Sequence, residues 1–186
     1  MPTVIPPTES ELCGSGNTPN KASFREAQRK FILAYRNLFG GSGTPQEALK
    51  LLDAARPAFS AYQSVAQSIP SNVFTKLQFQ TKEHDSSAAF VNDRFTPQMS
   101  GDYQFNAGVG FSSTSLNTVC SIFKNGAEYR RGGSGTLYSA NASSLVYLNG
   151  TTDYLEVFVY QVSGSNQNTR AFIAETYFSG VLVKAR

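Results

Sequence analysis

From residue 73 to the C-terminus, apolar and polar residues alternate with a period of two, which is typical of strands that bury one face. The clearest case is the segment 101–113, where Tyr103, Phe105 and Phe111 fall on one side and mainly polar residues or glycine on the other. The same kind of pattern predicts strands at 74–80, 144–148, 153–161, 169–174 and 176–184, and at 118–129 it predicts two strands joined by a turn at Lys124-Asn125-Gly126. Short strands separated by turns, with no helix between them, predict a mainly β sandwich or jelly roll.

Before residue 71 the apolar residues recur with the helical period instead. Ser23 and Glu26 form a capping box at the start of a first helix, and Pro45 fits the first turn of a second. Beyond Pro57 a further helical piece is predicted. Its apolar face consists of Phe59, Tyr62, Val65 and Ile69. We therefore predict a short α-helical hairpin over residues 23–70, which serves as an anchor.

The first 22 residues have the composition of an extended arm, because prolines and glycines are frequent there and apolar residues are few. An arm of this kind becomes ordered only against a partner surface. The candidate anchoring residues are Pro2, Val4, Ile5, Pro6, Pro7 and Leu12. The predicted organisation is thus an arm at 1–22, a helical hairpin at 23–70 and a β head at 71–186.

The segment 153–161 is apolar on both faces. Leu155, Val157 and Val159 form one face, while the other carries large aromatic residues interrupted by Glu156. A sandwich strand is normally polar on its outer side, so this outer face is expected to be covered. A subunit interface, a loop or the helical hairpin can each provide that cover. The candidate interface residues are Tyr154, Phe158, Tyr160 and Tyr177.

Charge and composition exclude several classes of partner. The chain has 16 basic and 13 acidic residues, a net charge of +3, and no strongly basic segment, so we expect no nucleic-acid binding. No apolar stretch reaches the length of a membrane helix, so we expect no membrane insertion. The N-terminus has no signal-peptide pattern. Of the two cysteines, Cys120 is expected in the core and Cys13 free.

The sequence contains no catalytic constellation. His84, the one histidine, lies in a polar run that we interpret as an exposed loop, and no nucleophile-elbow motif accompanies it. Two distant cysteines and one histidine do not make a zinc site. Asp93 and Asp153 are oxygen ligands that a loop-bound cation would use, although no calcium-loop pattern surrounds them. We therefore predict a protein that is not an enzyme and carries no cofactor.

One run of residues resembles a known family. In 94–111, a Phe is followed after five residues by Gly-x-Tyr-x-Phe, which is similar to the globular head of complement component 1q. These residues are Phe95, Gly101, Tyr103 and Phe105, and the closing strand adds Phe178 and Gly180. The resemblance covers about residues 72–186. The chain has no collagen-like Gly-X-Y sequence before the head, whereas in that family such a stalk precedes the head.

The resemblance implies a ten-stranded jelly roll of the tumour-necrosis-factor type that assembles as a homotrimer and binds through its outer loops. Such heads without signal peptides occur in tailed-bacteriophage virions. The leading expectation is a capsid decoration, cement or head-fibre protein, assembled in the host cytoplasm, located in the virion and attached to other virion proteins by its N-terminal region.

Two alternatives remain open. One is a tail-fibre or tail-tip protein that binds a host receptor or glycan, with Tyr129 and Tyr138 as candidate contacts. The other is a secreted binding module similar to complement 1q.

Overall fold

The computed structural model describes residues 29–30, 56–113, 117–136 and 138–186. The chain divides into two compact units, Met1–Ala54 and Ala55–Arg186. In the first unit Arg29 and Lys30 are described, and both are helical and exposed. The arm predicted at 1–22, its anchoring residues, and most of the hairpin predicted at 23–70 therefore lie outside the described residues.

The second unit is built from strands. In chain order, the thirteen strands of the described residues are β1 (Ala58–Tyr62), β2 (Ser68–Ile69), β3 (Thr75–Lys76), β4 (Thr81–Asp85), β5 (Phe90–Val91), β6 (Arg94–Phe95), β7 (Gly101–Gly110), β8 (Asn117–Lys124), β9 (Ala127–Thr136), β10 (Ser139–Leu148), β11 (Leu155–Val162), β12 (Gln167–Asn168) and β13 (Tyr177–Ala185). The mainly β jelly roll that the sequence predicts is confirmed.

Two sheets pack face to face. The five-stranded sheet has the order β10-β7-β13-β1-β4, and the six-stranded sheet has the order β5-β6-β11-β8-β9 with β3 also paired to β11. All of these pairings are antiparallel. A separate small sheet pairs β2 with β12. Because side chains alternate along a strand, each long strand buries one apolar row between the sheets.

Aromatic rings fill the centre of the sandwich. The ring of Phe59 in β1 stacks on Phe95 of β6 at a centroid distance of 4.6 Å and on Phe90 of β5 at 4.8 Å. It also meets Phe178 of β13 edge-on at 4.9 Å. Phe59 thus belongs to the five-stranded sheet and contacts rings of the opposite sheet, which ties the two layers together.

The residues 57–70 do not form the predicted helical piece. β1 pairs with β13 over its whole length, so Phe59 and Ala61 point into the core while Val65 is 62% exposed. The period of two was hidden because the next inward position is Gln63, which is fully buried but polar. The Gln63 Nε2 donates to the Gln78 carbonyl oxygen at 3.1 Å, which satisfies the amide inside the sandwich. The β unit consequently includes residues well before 71.

Three other segments differ from the prediction. Residues 170–176 form a turn instead of the strand predicted at 169–174, and only Thr75–Lys76 of the predicted strand 74–80 is paired as a strand. His84 lies in the edge strand β4 and not in a loop, although it is exposed as predicted. The hairpin turn at Asn125-Gly126 is confirmed, since both residues have positive φ, as a tight two-residue turn requires.

The strands define two ends of the sandwich. At the entry end lie Arg56, through which the preceding residues connect, and Arg186, whose backbone N–H donates to the Ser100 carbonyl oxygen at 3.0 Å. At the opposite end, which we call the free end, lie the segments 63–67, 111–113, 163–166 and 170–176 together with Tyr138. No helix in the described part of the chain is long and apolar enough to cross a membrane.

Gly180 tests the packing of the ring cluster. A Cβ added to Gly180 would lie 2.5 Å from atoms of the Phe105 ring, whereas one added to Gly133 would meet nothing within 4 Å. We predict that Gly180→Ala lowers the free energy of unfolding by about 2 kcal/mol, because overpacking forces the rings apart. Gly133→Ala is the matched control and should change it by less than about 0.5 kcal/mol. Urea unfolding of both variants measures the difference, and equal stabilities would contradict the packing described.

Candidate subunit interface

The outer face of the five-stranded sheet carries large apolar side chains that contact solvent. Leu145 of β10 and Val181 of β13 both lie opposite Gln104 of β7, one on each side of it. Leu145 is 54% exposed and Val181 is 41% exposed. Tyr147 continues the patch along β10, and Val183, at a bulge of β13, continues it on the other side of β7. Exposed apolar residues of the two strands that flank β7 thus share one outer face.

A row of polar side chains borders this patch. Ser143, Asn106, Ser179 and Ser60 lie opposite one another across four strands. The Ser143 hydroxyl donates to Asn106 Oδ1 at 2.8 Å and accepts from Gln104 Nε2 at 2.9 Å. These hydrogen bonds satisfy the polar groups within the subunit. Another surface can therefore cover these polar side chains, because Ser143 and Asn106 keep hydrogen-bond partners within the subunit.

Tyr177 lies on the same outer face, beyond the polar row. It stands opposite Gly108 of β7 and opposite Tyr62 of β1. A Cβ on Gly108 would lie 2.6 Å from the Tyr177 ring, so the ring rests directly on the glycine backbone. Of the four aromatic residues predicted at a subunit interface, Tyr177 is the one on this sheet.

The other three predicted interface residues lie on the outer face of the six-stranded sheet. Phe158 packs on Phe123 of β8 at a centroid distance of 4.2 Å, and Tyr160 packs on Phe74 at 5.1 Å. The Tyr154 ring lies under the guanidinium of Arg94, 3.8 Å from its carbon to the ring centroid. Part of the predicted cover is therefore supplied by the chain itself. Since the two outer faces are on opposite sides of the sandwich, Tyr177 does not form one flat surface with Tyr154, Phe158 and Tyr160.

Glu156 explains why a charged residue is tolerated among these aromatic rings. It is 5% exposed, and its Oε1 accepts from Lys76 Nζ at 2.8 Å and from Arg94 Nε at 3.0 Å. Burial by itself raises the pKa of Glu156, but the hydrogen bonds and charges of Lys76 and Arg94 outweigh it and hold the pKa below its ordinary value. The carboxylate is thus a structural anion that joins β3, β6 and β11.

The six residues of the complement-1q resemblance are core residues. Phe95, Tyr103, Phe105 and Phe178 are each 0% exposed, and the two glycines lie where their backbones are closely approached. Gly101 and Gly180 are buried as well. Burial raises the pKa of the Tyr103 phenol to about 12, and its hydroxyl donates to the Met99 carbonyl oxygen at 2.8 Å. The motif therefore specifies the interior of the sandwich and not a binding surface.

The residues considered for chemistry are separated in the structure. His84 is exposed on β4, while Cys120 is buried in β8 with its thiol pKa raised to about 12 by burial. Asp93 Oδ1 accepts from the Phe79 backbone N–H at 2.7 Å, and Asp153 is bonded by Asn125 and Lys124. Among the described residues no group of three or more His, Cys, Asp or Glu side chains is arranged to hold a metal ion.

The proposed receptor contacts Tyr129 and Tyr138 lie at different ends of the molecule. Tyr129 is 43% exposed in strand β9, and the Arg130 guanidinium lies 5.5 Å from its ring centroid. Tyr138 is 47% exposed at the free end, where its carbonyl oxygen accepts from the Phe111 backbone N–H at 2.7 Å.

The apolar patch on the five-stranded sheet was missed from the sequence, although a signal for it exists. In 144–148, Leu145 and Tyr147 alternate with Val146 and Leu148, so both faces of that strand are apolar. This is the same pattern that drew attention to 153–161. The difference appears only in three dimensions, because Leu145 is left 54% exposed on the outer face of β10.

Comparison with known proteins identifies the fold. No protein-family model and no curated protein matches the chain. Among solved structures, murine APRIL at pH 8.0 matches with a TM-score of 0.53 and 15% identity over 69% of this chain and 99% of that chain. The globular domain of the zebrafish complement 1qA protein (TM-score 0.48, 16% identity, 70% and 99%) and Eiger TNF from S. frugiperda (0.49, 10%, 71% and 95%) are also similar.

The head is therefore a jelly roll of the tumour-necrosis-factor and complement-1q type, as the sequence resemblance predicted. At these identities the likeness defines the fold alone.

The Glu156 site gives a prediction about pH. Because its folded-state pKa is lowered, the site stabilises the protein above the unfolded-state pKa and loses this contribution as the pH falls through the folded-state value. We expect Glu156→Gln to lower the free energy of unfolding at pH 7 by about 1–2 kcal/mol, since Lys76 and Arg94 remain partly solvated. The deficit should shrink in acid below about pH 4. The exposed Glu83→Gln is the control, and a deficit that stays constant with pH would contradict the ionic role.

Proposed function

We propose that this chain is a homotrimeric binding module without catalytic activity, whose subunits associate through the outer face of the five-stranded sheet. The observation that carries the proposal is the patch of Leu145, Tyr147 and Val181, which presents three large side chains to solvent on the two strands that flank β7. Apolar surface of this kind on a soluble domain is typical of an interface. The jelly roll of this type usually assembles as a trimer.

The electrostatics of the patch support association between copies. Asp102 of β7, which lies opposite Tyr147, is bonded by Arg186 Nε at 2.8 Å within the same subunit. A second copy can therefore cover this carboxylate without leaving it unpaired. By contrast, the outer face of the six-stranded sheet is already partly covered by its own aromatic contacts, which makes it the weaker candidate.

We further propose that the trimer is a structural component of a tailed-phage virion, a capsid decoration, cement or head-fibre protein attached by its N-terminal region to other virion proteins. The position of Arg56 supports this proposal. The chain before Arg56 joins the head at the entry end, which is opposite the free end.

A second candidate is a tail-tip or tail-fibre protein that binds a host receptor. Its supporting observation is the pair Phe172 and Ile173, which are 57% and 52% exposed at the free end. The two candidates share the trimer and differ in which end makes the essential contact.

The trimer proposal is tested by light scattering of the full-length chain. We predict a mass three times that of the chain, and a monomer for Val181→Asp, because the substitution places unpaired charges in the apolar interface. Val91→Asp, at a side chain that is 58% exposed in β5, is the matched control and should remain a trimer. If Tyr160→Asp yields the monomer and Val181→Asp does not, the interface is the other face of the sandwich. A monomeric full-length chain contradicts the proposal as a whole.

The attachment proposal is tested by deleting residues 1–22. We expect the shortened protein to keep its oligomeric mass and to lose binding to isolated phage capsids that are saturated by the full-length protein. The control is the full-length Val91→Asp variant, which should bind as the unmodified protein does. Retained binding by the shortened trimer contradicts a role of the arm in attachment.

A further inference from the structure

The turn at 170–176 presents two large apolar side chains although its backbone is firmly held. The Phe172 carbonyl oxygen accepts from the backbone N–H groups of Glu175 and Thr176, each at 3.0 Å. The Thr176 hydroxyl donates to the Arg170 carbonyl oxygen at 2.7 Å and accepts from the Gly110 N–H at 3.1 Å. These hydrogen bonds hold the backbone of the turn in one conformation while the side chains of Phe172 and Ile173 remain exposed.

The charged residues of the turn neutralise each other. Arg170 Nε lies 3.0 Å from Glu175 Oε2, so the pair closes the base of the turn. The described residues of the other free-end segments, 63–67, 111–113 and 163–166, contain no charged side chain. The free end as described thus has no net charge, which removes the attraction to nucleic acids and to anionic headgroups.

The turn also lacks groups that would bind a sugar. The hydroxyl of Thr176 and the charges of Arg170 and Glu175 are used within the turn, and the residues between them are Ala, Phe, Ile and Ala. In the neighbouring loop, Ser163 and Gln167 are bonded to each other at 3.2 Å. An exposed aliphatic Ile beside an exposed Phe fits an apolar environment better than a saccharide.

Other apolar residues at the free end belong to separate segments. Val65, Tyr138 and Val162 are 62%, 47% and 42% exposed, on three different connections or strand ends. A folded partner would need a surface matched to each of these positions. The interfacial region of a bilayer accepts scattered apolar side chains in any arrangement, and it is also where tyrosine is favoured.

We propose that the free end contacts an uncharged, zwitterionic lipid surface, with Phe172 and Ile173 entering the boundary between headgroups and acyl chains. This is a peripheral contact of two side chains per subunit and does not require a spanning segment. It goes beyond the proposed function and does not depend on the trimer, although several copies at one surface strengthen the contact by avidity.

Flotation of the full-length protein with phosphatidylcholine vesicles tests the inference. Binding is expected at both low and high salt, because it rests on apolar burial and not on charge. The double variant Phe172→Ser, Ile173→Ser should bind at least about tenfold more weakly. The matched control is Val91→Ser with Met99→Ser, which removes two exposed apolar side chains away from the free end and should bind as the unmodified protein does.

Three results would overturn the inference. The first is an absence of vesicle binding, which would indicate a protein contact for the turn instead. The second is equal binding by the two double variants. The third is binding only to phosphatidylglycerol vesicles that disappears at high salt, because that is a charge effect. Light scattering of the same samples separates this inference from the proposed function: a trimer that fails to bind vesicles refutes the lipid contact alone, and a monomer that binds them refutes the trimer alone.

Discussion

The structure of the head depends on the contact of Phe59 with rings from both sheets. Phe59 lies in β1, between β13 and β4, and its ring reaches Phe90 and Phe95 across the interior. Because β5 and β6 are only two residues long, their few ladder hydrogen bonds do little to hold them. The packing of Phe90 and Phe95 on Phe59 therefore holds these two short strands against the opposite sheet. The strand β1, which precedes residue 71, is therefore part of the sandwich and not a separate support for it.

Strands in which apolar and polar residues alternate regularly were predictable from the sequence, and strands with a polar residue in the inward row were not. The strand β7 follows from the apolar spacing of Tyr103, Phe105 and Phe111, and the turn at Asn125-Gly126 follows from its two residues alone. In β1 the inward row ends at Gln63, a buried polar residue whose partners come from a distant segment. A local pattern cannot reveal a hydrogen bond to Gln78, so the helical spacing of Phe59 and Tyr62 appeared equally good.

The candidate site was predictable in kind but not in place. Sequence showed that some outer face had to be covered, because 153–161 is apolar on both sides. Whether an outer face is exposed depends on which segment lies over it. The segment that contains Phe74 contacts Tyr160 on the outer face of β11, and the two residues are far apart in sequence. The exposed turn at Phe172 was also hidden, since an apolar run flanked by polar residues has the signature of a strand. Only the hydrogen bonds to the Phe172 carbonyl oxygen distinguish the turn from the strand.

The shared position of Arg56 and Arg186 has a consequence for rearranging the chain. Because the first and last residues of the head lie at the same end, a short linker can join them without disturbing β1 or β13. New termini opened at Gly164, which has positive φ and no neighbouring atoms within 4 Å of an added Cβ, then emerge from the opposite end. Such a circularly permuted head keeps every strand pairing and reverses its orientation on whatever carries it.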